Sequence, residues 1–159
     1  MSSRPYEIRP SSVHGQGAFA VRDIRRGEVI DEYVGERITH EEANERYKHR
    51  DINDSHTFLY ALDDETVIDG TIHGNDARYI NHKCDANCAP RIKDGRLFIV
   101  ATRRIRAGEE IGYRYHIARE DDDPENVDEI YACRCGSPRC AGTILWPPKK
   151  PRSRRSAKR

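Results

Sequence analysis

The sequence predicts a mostly β domain with a few short helices. Three features carry that expectation. Short runs rich in β-branched and aromatic residues recur along the chain and are too brief to be helices. Glycines at 15, 17, 27, 35, 70, 74, 95 and 108 punctuate those runs at the spacing of turns. Only one segment carries a full helix-start signal. At 159 residues the chain has the length of one domain with a short appendage, enough to bury a core without disulfide staples.

In chain order, strands are expected over 17–21, 29–33, 57–62, 67–69, 97–102 and 110–113. The helix falls over 41–49, where Thr39 and Glu42 form a capping box ahead of good helix formers. A second, short helix is expected over 76–80, with Asn75 as its cap. Residues 120–123 are acidic and end at Pro124, the pattern of an exposed loop. Pro147-Pro148 closes the folded part, and no internal repeat stands out.

The formal net charge of +1 conceals an asymmetry. The last eleven residues, KKPRSRRSAKR, hold seven Lys/Arg and no acid, leaving 21 basic against 27 acidic residues in the body. Such a tail cannot bury enough apolar surface to order itself. It reads as a nucleic-acid-binding arm, a nuclear-import signal or a solvated tail. The acidic body suits a basic polypeptide by complementary potential, or is simply a soluble surface. No run of 18 apolar residues is present, so no membrane span is expected. MSSRPYEIRP lacks the apolar segment of a secretory signal, which points to a reducing compartment.

Five cysteines in such a compartment suggest metal rather than bridges. Cys133, Cys135 and Cys140 surround a Gly136-Ser137-Pro138 turn, so one small loop offers three thiolates to a tetrahedral zinc. Cys84 or Cys88 is available as a fourth ligand, and an unliganded or redox cluster is the plainer alternative.

Several segments then share one resemblance. They are the run Gly74 to Cys88, GNDARYINHKCDANC; the cysteine cluster; Ser12-Val13-His14-Gly15-Gln16-Gly17-Ala18-Phe19-Ala20; Glu32-Tyr33-Val34-Gly35-Glu36; Phe58-Leu59-Tyr60 with Val67-Ile68-Asp69-Gly70; and Ile105-Arg106-Ala107-Gly108-Glu109-Glu110-Ile111-Gly112-Tyr113-Arg114-Tyr115. Singly, each is an ordinary hairpin, an edge strand or a core aromatic pattern. Together, in order across residues 6 to 146, they resemble SET-domain protein lysine methyltransferases with a post-SET zinc motif. The small size and the wording of HTFLYALDDETVIDG and GNDARYINH look most like short bacterial members.

The resemblance implies several small curved sheets with few short helices and a zinc-bound C-terminal loop. It divides the chain into an extension (1–5), a SET domain (6–131), a post-SET zinc module (132–147) and the basic tail (148–159). It assigns S-adenosylmethionine binding to His14, Gly15, Gln16, Gly17, Arg78, Tyr79, Asn81 and His82. Structural zinc falls to Cys84, Cys133, Cys135 and Cys140, which leaves Cys88 as a buried hydrophobe. Tyr115 takes the catalytic position, and Tyr113 the position that influences how many methyls are added. Lys83, Ala86, Gly112 and Arg114 depart from the pattern, and Phe58 and Tyr60 swap its usual aromatics.

The implied reaction moves a methyl group to a lysine amine of a basic protein: a histone, histone-like or ribosomal tail. A lysine amine, with its ordinary pKa near 10.4, is nucleophilic only when neutral, and a narrow aromatic channel favours that form. Tyrosines suit such a channel because rings wall it while hydroxyls orient the amine. Tyr113 inside it is expected to hold the product at mono- or dimethyl. The compartment would be cytoplasmic for a bacterial protein, and nuclear or chromatin-associated for a eukaryotic one or a secreted effector. A second reading keeps the fold without the chemistry, as a module that binds protein or nucleic acid.

Overall fold

The computed structural model describes residues 4–48, 58–115, 117–119 and 121–146. The basic tail, Thr57, His49 and the first three residues lie outside that set. Twelve strands are present among the described residues: β1 (Tyr6–Pro10), β2 (Gln16–Ala20), β3 (Val29–Glu32), β4 (Glu36–Ile38), β5 (Leu59–Ala61), β6 (Val67–Asp69), β7 (Asn81–His82), β8 (Cys88–Lys93), β9 (Arg96–Ala101), β10 (Glu110–Tyr113), β11 (Ile117–Ala118) and β12 (Leu145–Trp146). Two helices join them, α1 (His40–Tyr47) and the single turn α2 (Val127–Ile130).

The strands form small sheets of order β1-β2-β10-β7, β3-β9-β8 and β4-β6-β5, plus the pair β11-β12. The mostly β class with few helices is therefore the observed one. Most pairings are antiparallel, but β10 runs parallel to the short β7, setting Gly112 opposite Asn81 and Tyr113 opposite His82. Strand β9 shows why sheets form here. Leu97, Ile99 and Ala101 face the core while the residues between them face outward, the period of two that a half-buried strand requires. The core gathers where the sheets meet, with Ile24, Leu97, Ile99, Ile105 and Ile111 fully buried. No helix among the described residues is long and apolar enough to cross a membrane.

The capping box forms. Glu42 N–H donates to Thr39 Oγ1 and Thr39 N–H to the Glu42 carboxylate, each at 3.0 Å. Asn75 does not cap the next turn. Residues 76–79 form a 3₁₀ turn, and Asn75 instead donates its amide to the Glu32 carbonyl at 2.8 Å, tying the end of β3 to this turn.

One strand was not among those expected, and one expectation is corrected. Strand β8 was hidden by Pro90, yet it is an edge strand in which a missing N–H costs no ladder bond. And the chain does repeat a short unit. Ile24-Arg-Arg-Gly-Glu28 and Ile105-Arg-Ala-Gly-Glu109 fold alike, each with glycine at φ +87° and each glutamate closing back on its arginine N–H. The two turns pair through an Ile24–Ile105 bridge. Glycine is required at the fourth position of each unit because it alone adopts the left-handed conformation without steric cost.

Candidate active site and thiol cluster

Tyr115 follows the end of β10, and its surroundings set what it can do. The residue is partly buried, but its hydroxyl end is deep and donates to the Ile80 carbonyl. Its backbone N–H donates to His82 Nδ1 at 3.0 Å. Its ring stands edge-on to His82 and 5.0 Å from the ring of Tyr113. Burial, reinforced by the neighbouring Tyr33, pushes the Tyr115 phenol well above its ordinary value. Burial and the nearby Tyr115, Tyr33 and Tyr60 do the same to Tyr113. Both stay protonated at neutral pH. Tyr115 can thus orient a partner through its oxygen lone pairs, whereas a phenolate base is not on offer.

The wall around them includes residues the sequence reading gave no role. The Tyr33 ring lies tilted, 5.9 Å from that of Tyr60, and its hydroxyl donates to the Phe58 carbonyl at 2.6 Å. Phe58 packs edge-on to Tyr79, and the Arg78 guanidinium lies 4.7 Å over the Tyr79 ring. A side chain at Gly70 would press on the Tyr33 hydroxyl, the Phe58 carbonyl and Arg78 at 3.0–3.3 Å. The aromatic swap at 58 and 60 therefore leaves a closed aromatic wall. Tyr33 belongs to the Glu32-Tyr33-Val34-Gly35-Glu36 segment, which was the signal available for it.

The glycine turn is held over β7 by Asn81. Its amide nitrogen lies 3.1 Å from the His14 carbonyl, 2.9 Å from the Gln16 carbonyl and 3.1 Å from the Glu110 carboxylate, which also accepts from Ser11 Oγ. A Cβ at Gly17 would fall 2.5 Å from Glu110, so glycine there serves this close packing. Gly15, at φ +44°, is different: a Cβ would meet nothing within 4 Å, and the turn opens beside Asn81. That opening fits a ligand approached by backbone. Glu110 and the fully buried Asn87 were missed. Asn87 accepts from Gly112 N–H and donates to the Glu110 carbonyl, fixing β10 beneath the site.

The four thiols predicted from two distant segments come together. The sulfurs of Cys84, Cys133, Cys135 and Cys140 all lie within 4.8 Å of one another, with Cys84 3.7 Å from Cys133 and 4.0 Å from Cys140. A tetrahedron with metal–sulfur bonds of about 2.3 Å has sulfur–sulfur edges of about 3.8 Å, so the group fits one tetrahedral ion. Gly136 and Gly142 adopt positive φ where the loop reverses, and Ala141 and Gly142 donate N–H groups to sulfur at 3.4 Å. Burial opposes ionisation of Cys135, but N–H groups from Ser137 and Cys84 and the neighbouring thiols bring it down to about 7. Burial raises Cys84 and Cys133. Cys88 is elsewhere, fully buried in the core with its thiol pushed up to about 12.

One imidazole joins the two sites. Because Tyr115 N–H can only donate, His82 Nδ1 accepts, and the ring proton sits on Nε2, 3.2 Å from Cys84 Sγ. The departures also find places. Lys83 turns away from the thiols toward the Glu110 carbonyl and Glu109, and a side chain at Gly112 would lie 2.6 Å from Lys83 Cβ, so these two substitutions fit each other. Arg114 donates to the Cys84 carbonyl and lies over Trp146, tying the last strand among the described residues to the signature. Nothing in the structure explains Ala86.

Comparison with known proteins adds the following. The family model described as SET domain matches residues 15–116. A Saccharomyces cerevisiae histone-lysine N-methyltransferase, H3 lysine-4 specific, is 42% identical over 148 residues, 89% of this chain and 13% of that protein. Human histone-lysine N-methyltransferase 2B is 39% identical over 134 residues, 82% of this chain and 5% of its own length. Among solved structures, a chain of the Chaetomium thermophilum polycomb repressive complex 2 in an autoinhibited conformation bound to S-adenosylmethionine aligns with TM-score 0.66 and 32% identity, over 80% of this chain and 16% of that one. This chain spans less than a sixth of each of these relatives. They are eukaryotic, which corrects the likeness to short bacterial members.

Proposed function

The chain belongs to the SET-domain family, and from that premise we propose that it methylates a lysine of a histone tail, using S-adenosylmethionine as donor, in a chromatin setting. The observation that carries the proposal is the environment of Tyr115: a buried, protonated hydroxyl committed to the Ile80 carbonyl inside a ring of Tyr33, Tyr60, Tyr113 and His82. A non-catalytic module would have no need of a desolvated phenol fixed at both its hydroxyl and its backbone.

S-adenosylmethionine supplies a methyl group made electrophilic by a sulfonium. The residues suited to hold it are His14, Gly15, Gln16 and Gly17 of the glycine turn, Asn81 and His82 beneath them, and Arg78 and Tyr79 beside the aromatic wall. Since the His82 ring is engaged by Tyr115 and Cys84, His82 would serve the cofactor through its backbone. The lysine chain would lie between Tyr33, Tyr60 and Tyr113, whose rings exclude water and favour the neutral amine. Tyr115 accepts from the amine and aligns its lone pair, so catalysis is positioning rather than base chemistry. The Tyr113 hydroxyl makes no hydrogen bond to any described residue and is available to the amine or a water, which limits the product to mono- or dimethyl-lysine. Cys84, Cys133, Cys135 and Cys140 hold structural zinc, closing the C-terminal loop against this site.

The test is incubation of the zinc-loaded protein with methyl-labelled S-adenosylmethionine and histone H3, beside Tyr115→Phe. Label in lysine that falls by about 100-fold or more in the variant is the expected result. Absence of both transfer and cofactor binding would favour the non-catalytic module.

A further inference from the structure

We propose that the paired arginine turns form a docking surface for the phosphate backbone of double-stranded nucleic acid, separate from the methyl-transfer site and independent of that reading. The two copies of Ile-Arg-x-Gly-Glu, bridged at Ile24 and Ile105, bring together Arg22, Arg25 and Arg26 with Arg103, Arg104 and Arg106. Three acids lie among them, and all three have structural tasks. Asp23 accepts from Ala107 N–H and pairs with Arg104, clamping one turn to the other. Glu28 holds Arg22 at 2.6 Å and Arg25 N–H, while Glu109 holds Arg103 at 3.1 Å and Arg106 N–H. That leaves Arg25, Arg26 and Arg106 exposed and paired with no acid among the described residues, an excess of three positive charges.

The excess is local. Without these six arginines, their three acids and the last eleven residues, the chain has 15 basic against 24 acidic residues. An acidic protein that concentrates cations on the patch formed by two bridged turns has a surface suited to a polyanion. Arg22, Arg25 and Arg104 of the patch line a notch together with Asp23, Ile24 and Glu28, with no aromatic among them, so bases would find no stacking platform there. Guanidinium forks on a rigid bridged frame suit the regularly spaced phosphates of a duplex, at one charge per about 1.7 Å of axis, better than the sparse carboxylates of a flexible acidic peptide. The patch stands at the far end of β10 from the tyrosines, about 14 Å away along the strand from Glu109 to Tyr113. The last described residue of the chain, Trp146, lies at the tyrosine end, against Arg114. The surface is therefore distinct from the root of the basic tail.

The experiment is fluorescence anisotropy of a labelled duplex of random sequence with the full chain, from about 50 to 300 mM NaCl. Three proteins are compared: the wild type, Arg25→Gln/Arg26→Gln/Arg106→Gln, and a chain whose tail Lys/Arg are all glutamine. Losing three phosphate contacts should flatten the log–log salt slope by about 2.7, at about 0.9 each, and weaken binding at least tenfold at the lowest salt. The melting temperature should not move, since none of the three guanidinium groups holds the fold. Phenylglyoxal labelling of the wild type, read by mass spectrometry, should show Arg25, Arg26 and Arg106 protected by duplex, which requires no variant. Absence of wild-type binding, an unchanged slope in the triple variant, or binding lost only with the tail charges would each overturn the proposal. So would displacement by polyglutamate at equal charge, which would make the partner an acidic polypeptide.

Discussion

Replacing His82 tests whether the thiol cluster and the tyrosine site are one device. The imidazole is buried, accepts from Tyr115 N–H at 3.0 Å and points its ring N–H at Cys84 Sγ, 3.2 Å away. His82→Leu fills the space but leaves Tyr115 N–H without its acceptor, a loss of about 1–3 kcal/mol. For a chain of this size, a loss of about 2 kcal/mol lowers the melting temperature by roughly 4–8 °C. The effect on catalysis should be larger than stability explains. Tyr115 is held by its hydroxyl and its N–H, and releasing one anchor permits a displacement of about 1 Å, enough for a roughly 100-fold loss of transfer rate. Two conservative variants separate the anchors. In His82→Asn the side-chain oxygen falls near the Nδ1 position and keeps Tyr115, while the reach to Cys84 is lost. In His82→Gln the reach survives and the acceptor is displaced. Single-turnover methyl transfer should therefore suffer more in Gln. Zinc affinity, read by chelator competition, should suffer more in Asn, by about 10- to 100-fold. Wild-type melting and wild-type transfer in His82→Leu would refute the bridging role.

Three further outcomes are expected. Tyr113→Phe removes a hydroxyl that makes no hydrogen bond to a described residue, so stability should hold while mass spectra of the product shift toward higher methylation; trimethyl-lysine as the wild-type product would refute the assignment. Asp69 is fully buried, and although burial raises its carboxyl, hydrogen bonds from Tyr47, Thr71 N–H and Arg46 hold it below 3.8. Its contribution is thus complete above that value and fades as pH falls through the lower folded one. Asp69→Ala should lower neutral stability by about 2–4 kcal/mol and flatten acid unfolding in that window, seen by circular dichroism. In the zinc-loaded protein, Ellman's reagent should find almost no reactive thiol. A chelator should expose the four clustered thiols, with Cys88 reacting only on unfolding.

What was legible in the sequence follows from how local each signal is. The Thr39–Glu42 capping box and the strand at Val67–Asp69 depend on residues within a few positions of one another, and both are where expected. Strands β7, β11 and β12 have two residues each, too few for any period; β7 exists because it pairs with β10, and β11 and β12 only because they meet each other. Strands β1 and β8 carry proline, which argues against a strand unless its place at the sheet edge is known. The Asp94-Gly95 hairpin, both residues at positive φ, was the available signal for β8 and β9 together.

At the site, residue types were readable and their wiring was not. Cysteine spacing exposed three thiols of one loop, and the resemblance supplied Cys84. What organises them with Tyr115 passes through main-chain groups that every residue possesses. Tyr115 N–H meets an imidazole, its hydroxyl meets the Ile80 carbonyl, and Asn81 reaches two carbonyls of the glycine turn. The same holds for the departures. Lys83 and Gly112 looked like two separate losses, but the parallel pairing of β7 with β10 sets them side by side, and the long lysine stem occupies the space a side chain at 112 would need. Arg114, which replaces an acid, reaches the Cys84 carbonyl and Trp146. An acidic residue there could neither donate to the carbonyl nor place a positive charge over the ring. Substitutions that weaken a motif when read along the chain can therefore strengthen the site when read across it, and the pairing register decides which reading applies.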